Sequence, residues 1–353
     1  MGQPGGPGSS VTVAILLPLS GRLADIGTPM LRAAQLALSV PGSPVLEVKD
    51  TGGTPDGAAL AASEAIADGA KMILGPLTSP ETAQVAPIAR QAGVPVLAFT
   101  NDHGQAQPGV WVLGITPGQQ VRRLLGEARE TGHVPVAALL PDDDFGKAMA
   151  DELIRVAVAE GQPPPYVRMV GPGAENITAA VTELASSAGQ DQPFPFGAIL
   201  LGATGPDLKA YAQAFAEAKI DRSKVQIMGP GLWIDPASGS SAMIGGWFAV
   251  PDPDSRRDLI RDYSAQYKES PPPRADLASD AAAIARVLAG QGRMNAAGLT
   301  QPVGFTGVDG WFVLLPDGQV RRGLAVFRVD RGRAVKVSDA PAGPGPGGGV
   351  PGG

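Results

Sequence analysis

Cysteine is absent from the 353 residues. That removes disulfides, thiol nucleophiles and cysteine-held zinc together. Histidine is nearly absent: His103 and His133 lie far apart, and neither sits in an HExxH-type spacing. A histidine-based metal site is therefore not expected. Basic charge is also short, with 28 Lys and Arg against 34 Asp and Glu. A nucleic-acid backbone demands a basic patch, so it is not the expected partner. No apolar run is long enough to span a membrane, and no signal peptide is visible. Enzyme signatures are missing too. There is no GxSxG elbow, no phosphate-binding P-loop and no GxGxxG after the first strand. The chain is read as a non-enzyme that needs no cofactor and no metal.

What is present is length and rhythm. A chain of this size can bury two cores more readily than one. Residues 1–10 and 338–353 are rich in Gly and Pro and are expected to be disordered. Between them, short apolar β runs alternate with helical stretches. Val11–Leu17, Val45–Val48, Met72–Leu74 and Val94–Phe99 read as strands. Helices are expected to start at Thr28-Pro29, Thr54-Pro55, Ser79-Pro80 and Thr116-Pro117. Each pairs a capping hydroxyl with a Pro whose missing N–H costs nothing at that position. The alternation restarts at Val134–Leu140 and runs on to Val225–Met228. Short loops between strands and helices predict α/β architecture with doubly wound parallel sheets. After residue 310 the pattern turns to β hairpins, marked by Asp317-Gly318.

The stretch Met72–Thr82 holds the pattern together. It reads as buried strand, Gly75-Pro76 turn, then helix start. Such a turn leaves backbone N–H groups and hydroxyls at the C-terminal end of a parallel strand, where open α/β sheets bind ligands. Ser79 has two readings, a helix cap or a ligand contact. Thr100-Asn101-Asp102, also at a strand's C-terminal end, is either a solvated turn or part of the same site. Asp142-Asp143-Asp144 resembles a metal cluster, but three consecutive carboxylates do not share a face, so a solvated loop is expected. Trp233 either stacks on a ligand or packs at a hinge. His103, beside the candidate site, either hydrogen-bonds a ligand or is an ordinary loop residue.

The chain resembles the type I periplasmic solute-binding proteins of the leucine/isoleucine/valine-binding family. Carrying the resemblance are Ala14-Ile15-Leu16-Leu17-Pro18-Leu19-Ser20-Gly21 and Ile73-Leu74-Gly75-Pro76-Leu77-Thr78-Ser79. Ala92–Ala98, Asp144-Phe145-Gly146 and Met228-Gly229-Pro230 add to it. No single motif is specific; their order over residues 11–337 is. The resemblance implies two lobes joined by three crossovers, near 117–120, 245–250 and 301–305. Lobe 1 would be 11–117 plus 250–301, and lobe 2 would be 118–249 plus 302–337. A small polar or amino-acid-like ligand would be captured between them by hinge closure. Ligand contacts would come from Leu77, Thr78, Ser79, Thr100, Asn101 and Asp102 in lobe 1, and from Phe145, Thr204 and Trp233 in lobe 2. Phe145 stands where the family usually has Tyr, and Gly231 where it has an acid. The second change argues against a standard branched-chain amino acid. For the missing acid the resemblance leaves Asp102 and Asp143 as candidate substitutes.

A second branch of the same fold is also similar: the outer-membrane lipoproteins that activate penicillin-binding proteins. The Phe305-Thr306-Gly307, Asp317-Gly318 and Arg322–Phe327 segments carry that likeness. The two resemblances imply a periplasmic protein. Its partner would be an ABC-type permease in the first reading and a peptidoglycan synthase in the second. Residues 1–10 would suit a tether to a lipid-anchored cysteine that this sequence does not contain.

Overall fold

A computed structural model describes residues 11–187, 192–331 and 333–343. The expected disorder of residues 1–10 falls outside these residues, as does that of the tail from 344 onward. Ser338, expected in the tail, instead closes the last strand.

The chain divides into two compact units. Unit 1 holds, among the described residues, 11–115, 252–323 and 342–343; unit 2 holds 116–251 and 324–341. Among the described residues the chain crosses between them after Ile115, Pro251 and Gly323, and again after Pro341.

The first segment runs β1 (Thr12–Leu17), α1 (Ala24–Ala37), β2 (Val45–Asp50), α2 (Pro55–Ala67), β3 (Ile73–Leu74), α3 (Ser79–Gln91), β4 (Val96–Ala98) and β5 (Val110–Val112). The second runs α4 (Pro117–Glu130), β6 (Val136–Pro141), α5 (Asp144–Ala159), β7 (Val167–Val170), α6 (Ala174–Ser186), β8 (Ala198–Leu201), α7 (Asp207–Glu217), β9 (Gln226–Gly229) and β10 (Trp247–Val250). The third returns to unit 1 with α8 (Arg257–Tyr267), α9 (Ala275–Gly290), α10 (Ala296–Leu299), β11 (Phe305–Gly307), β12 (Gly310–Leu314) and β13 (Val320–Arg322). The last supplies β14 (Ala325–Asp330) and β15 (Arg333–Ser338) to unit 2.

In unit 1 the parallel sheet has the order β2-β1-β3-β4-β5. β1 shows why its sequence is a continuous apolar run. Val13, Ile15 and Leu17 enter one core with Met30 of α1 and Leu277, Ala281 and Ala285 of α9. Ala14 and Leu16 enter another with Ala58, Ala62 and Ala65 of α2 and Val85 and Ala89 of α3. Successive strand residues face opposite sides, so a strand covered twice has no room for polar residues. In unit 2 the order is β15-β14-β10-β9-β8-β6-β7. Its β6–β10 pairings are parallel, and β14 adds antiparallel beside β10, with β15 antiparallel at the edge.

Two sequence expectations are corrected here. Lobe 2 was expected to hold 302–337, yet residues 302–323 belong to unit 1. The antiparallel β11-β12-β13 sheet puts Phe312, Leu314 and Val320 into the β1 core. Its turn is tied to β5: Val112 N donates to Gly318 O at 3.2 Å, and Trp111 Nε1 to Leu315 O at 2.7 Å. Gly318 is required there, with φ +88° and no space for a Cβ, which would lie 2.3 Å from Gln107 N and Val110 O. The third crossover thus lies at 323–324, beyond the expected 301–305. Secondly, α1 starts at Ala24, after a 3-10 turn over Gly21–Leu23, and Pro29 lies inside it.

Candidate functional site

The C-terminal ends of β3 and β4 lie side by side because the strands pair in parallel, Leu74 opposite Leu97. The pairing continues into the loops, with Phe99 N donating to Pro76 O at 2.9 Å. The loops bearing Leu77–Ser79 and Thr100–Asp102 are thereby brought together.

α3 starts one residue earlier than Ser79-Pro80 suggests. Thr78 is the N-cap, with extended backbone (φ −107°, ψ 158°). Its hydroxyl takes the Glu81 N–H at 3.4 Å and donates to Glu81 Oε2 at 2.7 Å. Glu81 in turn accepts the Thr78 N–H at 2.9 Å, which completes a capping box. The other Glu81 oxygen accepts from the Thr51 hydroxyl at 2.6 Å. Glu81 is fully buried. Thr78 is therefore occupied with the helix, and Ser79 is released from capping.

Ser79 Oγ, so released, donates to Asp102 Oδ2 at 2.5 Å. Gln105 Nε2 donates to the same oxygen at 3.2 Å, and Gly104 N to Oδ1 at 2.9 Å. The Asp102 N–H goes to Thr100 Oγ1 at 3.1 Å, and Thr100 is buried. Burial opposes the Asp102 charge, but the hydrogen bonds from Ser79, Gly104 and Gln105 outweigh it. They hold the carboxyl below its ordinary range. Asn101 is exposed; Leu77 is half-buried and packs on the β1 core. A third carboxylate, Asp50 at the end of β2, accepts from Leu19 N at 2.8 Å, Ser20 N at 3.2 Å and Gly52 N at 2.8 Å. Burial again opposes that charge, and these donors with the Ser20 hydroxyl lower the Asp50 pKa. Neither Asp50 nor Glu81 is among the residues the sequence marks as site candidates. The Thr78-x-x-Glu81 spacing was the available signal for the second.

The unit 2 candidates fare unevenly. Phe145 is half-buried in the first turn of α5, whose N-cap is Asp143, accepting from Gly146 N at 2.8 Å. Thr204 is half-buried in the loop between β8 and α7. Trp233 is a correction. It is 2% exposed, sits in the unit 2 core, and donates from Nε1 to Ala203 O at 3.0 Å. Its ring lies where side chains at Gly229 and Gly246 would be, so both positions are held to glycine. The ring has no face left for a ligand. Gly231 is equally confined. Its N–H donates to Gln120 Oε1 at 2.6 Å, and an added Cβ would lie 2.8 Å from Val250 Cγ1. No acidic side chain fits there. Among the described residues no group of three or more His, Asp and Glu is placed to hold a metal ion. Nor is any helix long and apolar enough to cross a membrane.

A family model described as periplasmic binding protein matches residues 10–334. Solved structures show the same fold. A putative branched-chain amino acid ABC transporter protein from Rhodospirillum rubrum matches with TM-score 0.80 and 19% identity. That match covers 93% of this chain and 100% of the other. LivJ from Streptococcus pneumoniae, solved with isoleucine, gives 0.60 at 19% identity, covering 94% and 100%. The C-domain of LpoA from Haemophilus influenzae, a regulator of PBP1A, gives 0.68 at 19% identity, covering 92% and 99%. At such identities the likeness is one of fold. A curated relative, an uncharacterized protein of Rickettsia prowazekii, is 23% identical over 179 residues. That stretch spans 50% of this chain and about half, 48%, of the relative.

Proposed function

The chain belongs to the periplasmic binding protein family, and on that premise we propose that it is an extracytoplasmic receptor for a small polar ligand. The observation that carries the reading is the meeting of Ser79, Thr100 and Asp102 at the ends of two adjacent parallel strands. Residues 23 positions apart in sequence share one hydrogen bond there, at the edge where open α/β sheets bind ligands. Leu77 and Asn101 border that group, and Thr78 supports it through the α3 cap. In unit 2, Phe145 and Thr204 are the half-buried residues that the family resemblance singles out. The loaded receptor would deliver its ligand to an ABC-type permease. No catalytic step is assigned.

A second reading draws on one observation. The Ser79–Asp102 pair completes its own hydrogen bonds without a ligand. In that case the chain regulates a peptidoglycan synthase through protein contacts, as its structural neighbour LpoA regulates PBP1A.

Thermal unfolding against amino acids, amines, purines, sugars and cell-wall fragments separates the two. A ligand at a hundred times its Kd stabilises the folded state by about 2.7 kcal/mol. The receptor reading expects such a shift from at least one compound, with Ser79→Ala reducing it. If no compound shifts the transition and the purified chain binds a purified synthase domain without ligand, the second reading replaces it.

A further inference from the structure

We propose that Asp102 sets the class of ligand: the group that docks at the start of α3 is a hydrogen-bond donor, ammonium or amide, and not a carboxylate. The inference rests on the receptor reading and deepens it.

A hydroxyl has one proton to donate. That of Ser79 is already committed to Asp102 Oδ2. An ionised carboxylate offers about four acceptor positions, and three are filled on Asp102, by Ser79, Gln105 and Gly104. What the pair offers an incoming group is therefore acceptor capacity: the remaining position on Asp102 and the lone pairs of Ser79 Oγ. A carboxylate brought within hydrogen-bonding reach of Ser79 would meet the Asp102 charge at short range, with no proton between them.

The positive end of the α3 dipole does not reverse this preference. A helix start favours nearby anions, and this one already has two, Asp102 and the buried Glu81. An anionic ligand would be the third. The flanking segments 75–82 and 99–107 contain no Lys or Arg, and the charge of His103, the one basic residue in them, already acts on Asp102. Two like charges about 4 Å apart at a partly exposed site repel enough to lower affinity about tenfold or more.

The test compares matched probes of opposite charge by amide NMR on the full chain, following Ser79, Asp102 and Gly104. Methylammonium and leucinamide are titrated against acetate and N-acetylleucine. The expected result is saturable shifts with the two amines, at least tenfold tighter than with the two acids. Asp102→Asn keeps the carbonyl that caps Gly104 but removes the charge, and is expected to erase that ratio. Tighter binding of the acids by the wild type, or an unchanged ratio in Asp102→Asn, overturns the inference and leaves the receptor reading standing. If none of the four probes moves these amides while a compound of the thermal panel does, the ligand docks elsewhere and the assignment to Asp102 fails alone. Silence from both the probes and the panel removes the receptor reading, and the inference with it.

Discussion

The two units use one strand–helix grammar and secure it by different means. Unit 1 closes its loop ends with carboxylates: Asp50, Glu81 and Asp102 each gather backbone and hydroxyl donors. It also buries charge in its interior. Asp280 of α9 accepts from Val308 N at 2.5 Å and Asp309 N at 3.4 Å. Arg322 of β13 lies 3.7 Å from Asp280 and 3.8 Å from Asp309, donates to Leu113 O at 3.1 Å, and stacks over the Phe312 ring. Nearby, Arg256 forks onto Asp276. In unit 2 the loop after β9 is closed by shape, with the Trp233 ring against Gly229 and Gly246 and Gly231 wedged under Val250, while Asp143 caps α5 much as the acids of unit 1 cap their loops. Loops closed by acids keep polar chemistry at the surface that a ligand can use; loops closed by packing do not. The candidate residues that share hydrogen bonds accordingly lie in unit 1.

The sharpest way to break the comparison is to remove one element from each side. Arg322→Ala leaves the buried Asp280 and Asp309 without their cation and should cost about 3–5 kcal/mol. Trp233→Ala should cost a similar 3–5 kcal/mol, through a cavity. Urea unfolding at two pH values tells them apart. The Arg322 penalty should shrink at pH 5, where the stranded carboxyls can take protons, and the Trp233 penalty should not change. Equal pH behaviour would erase the distinction.

Next in size is the pH dependence of the parent protein. Burial, reinforced by the Asp309 charge and opposed by Arg322, pushes Asp280 up to about 7. Burial raises Asp309 as well. A carboxyl whose folded pKa lies above its unfolded value holds a proton on folding. Its contribution is complete below the unfolded pKa near 4 and is lost as pH rises to the folded value. Stability should therefore rise as pH falls from 7 to 5, by about 1–2 kcal/mol, below the limit of about 1.4 kcal/mol per pH unit for one proton. Asp280→Asn should flatten that slope. A parent protein that is most stable above pH 7 would contradict it. Below about pH 4 the trend should reverse as Asp50 and Asp102, held below their ordinary range, take up protons.

The smallest effect sharpens the comparison by showing where the units agree. Both use the same helix cap, Thr78 with Glu81 in unit 1 and Thr116 with Gln119 in unit 2. Thr116→Ala should cost about 1 kcal/mol. Thr78→Ala should cost about as much, plus whatever the buried Glu81 loses with its hydroxyl partner. The excess in unit 1, read from parallel thermal scans, isolates the polar contribution.

The fold was legible where the signal was local. β1 announces its two-sided burial in its own composition, and Thr54-Pro55 and Thr116-Pro117 mark true helix starts. Thr28-Pro29 misled because Gly27 lets α1 begin early: a Cβ there would sit 2.1 Å from Pro18 O, an approach no local pattern reveals. The third crossover was misplaced for a similar reason. A β hairpin does not state which core it joins, and the bond from Trp111 to Leu315 spans 204 positions. The residues of the candidate site in unit 1 were named from sequence, but their pairing was not. Ser79 looks like a cap until Thr78 is seen to hold that role. Asp280, Asp309 and Arg322 are far apart in sequence, and each reads alone as a solvated charge. The one early sign was α9 itself, an alanine-rich helix with acids at 276 and 280 and no other carboxylate.

Because unit 1 is interrupted by residues 116–251, its first sheet is made long before its covering helix. At 5–20 residues per second, roughly 14–55 seconds of synthesis separate Leu17 from the end of α9. Through that interval Val13, Ile15 and Leu17 lack Leu277, Ala281 and Ala285, the partners that cover them in the finished protein. A growing chain halted near residue 250 should be cut readily by protease within its first hundred residues, and one carried past residue 323 should resist. The N-terminal strand, fully buried from Val13 to Leu17 in the finished molecule, is thus the segment a holding chaperone would have to guard for longest.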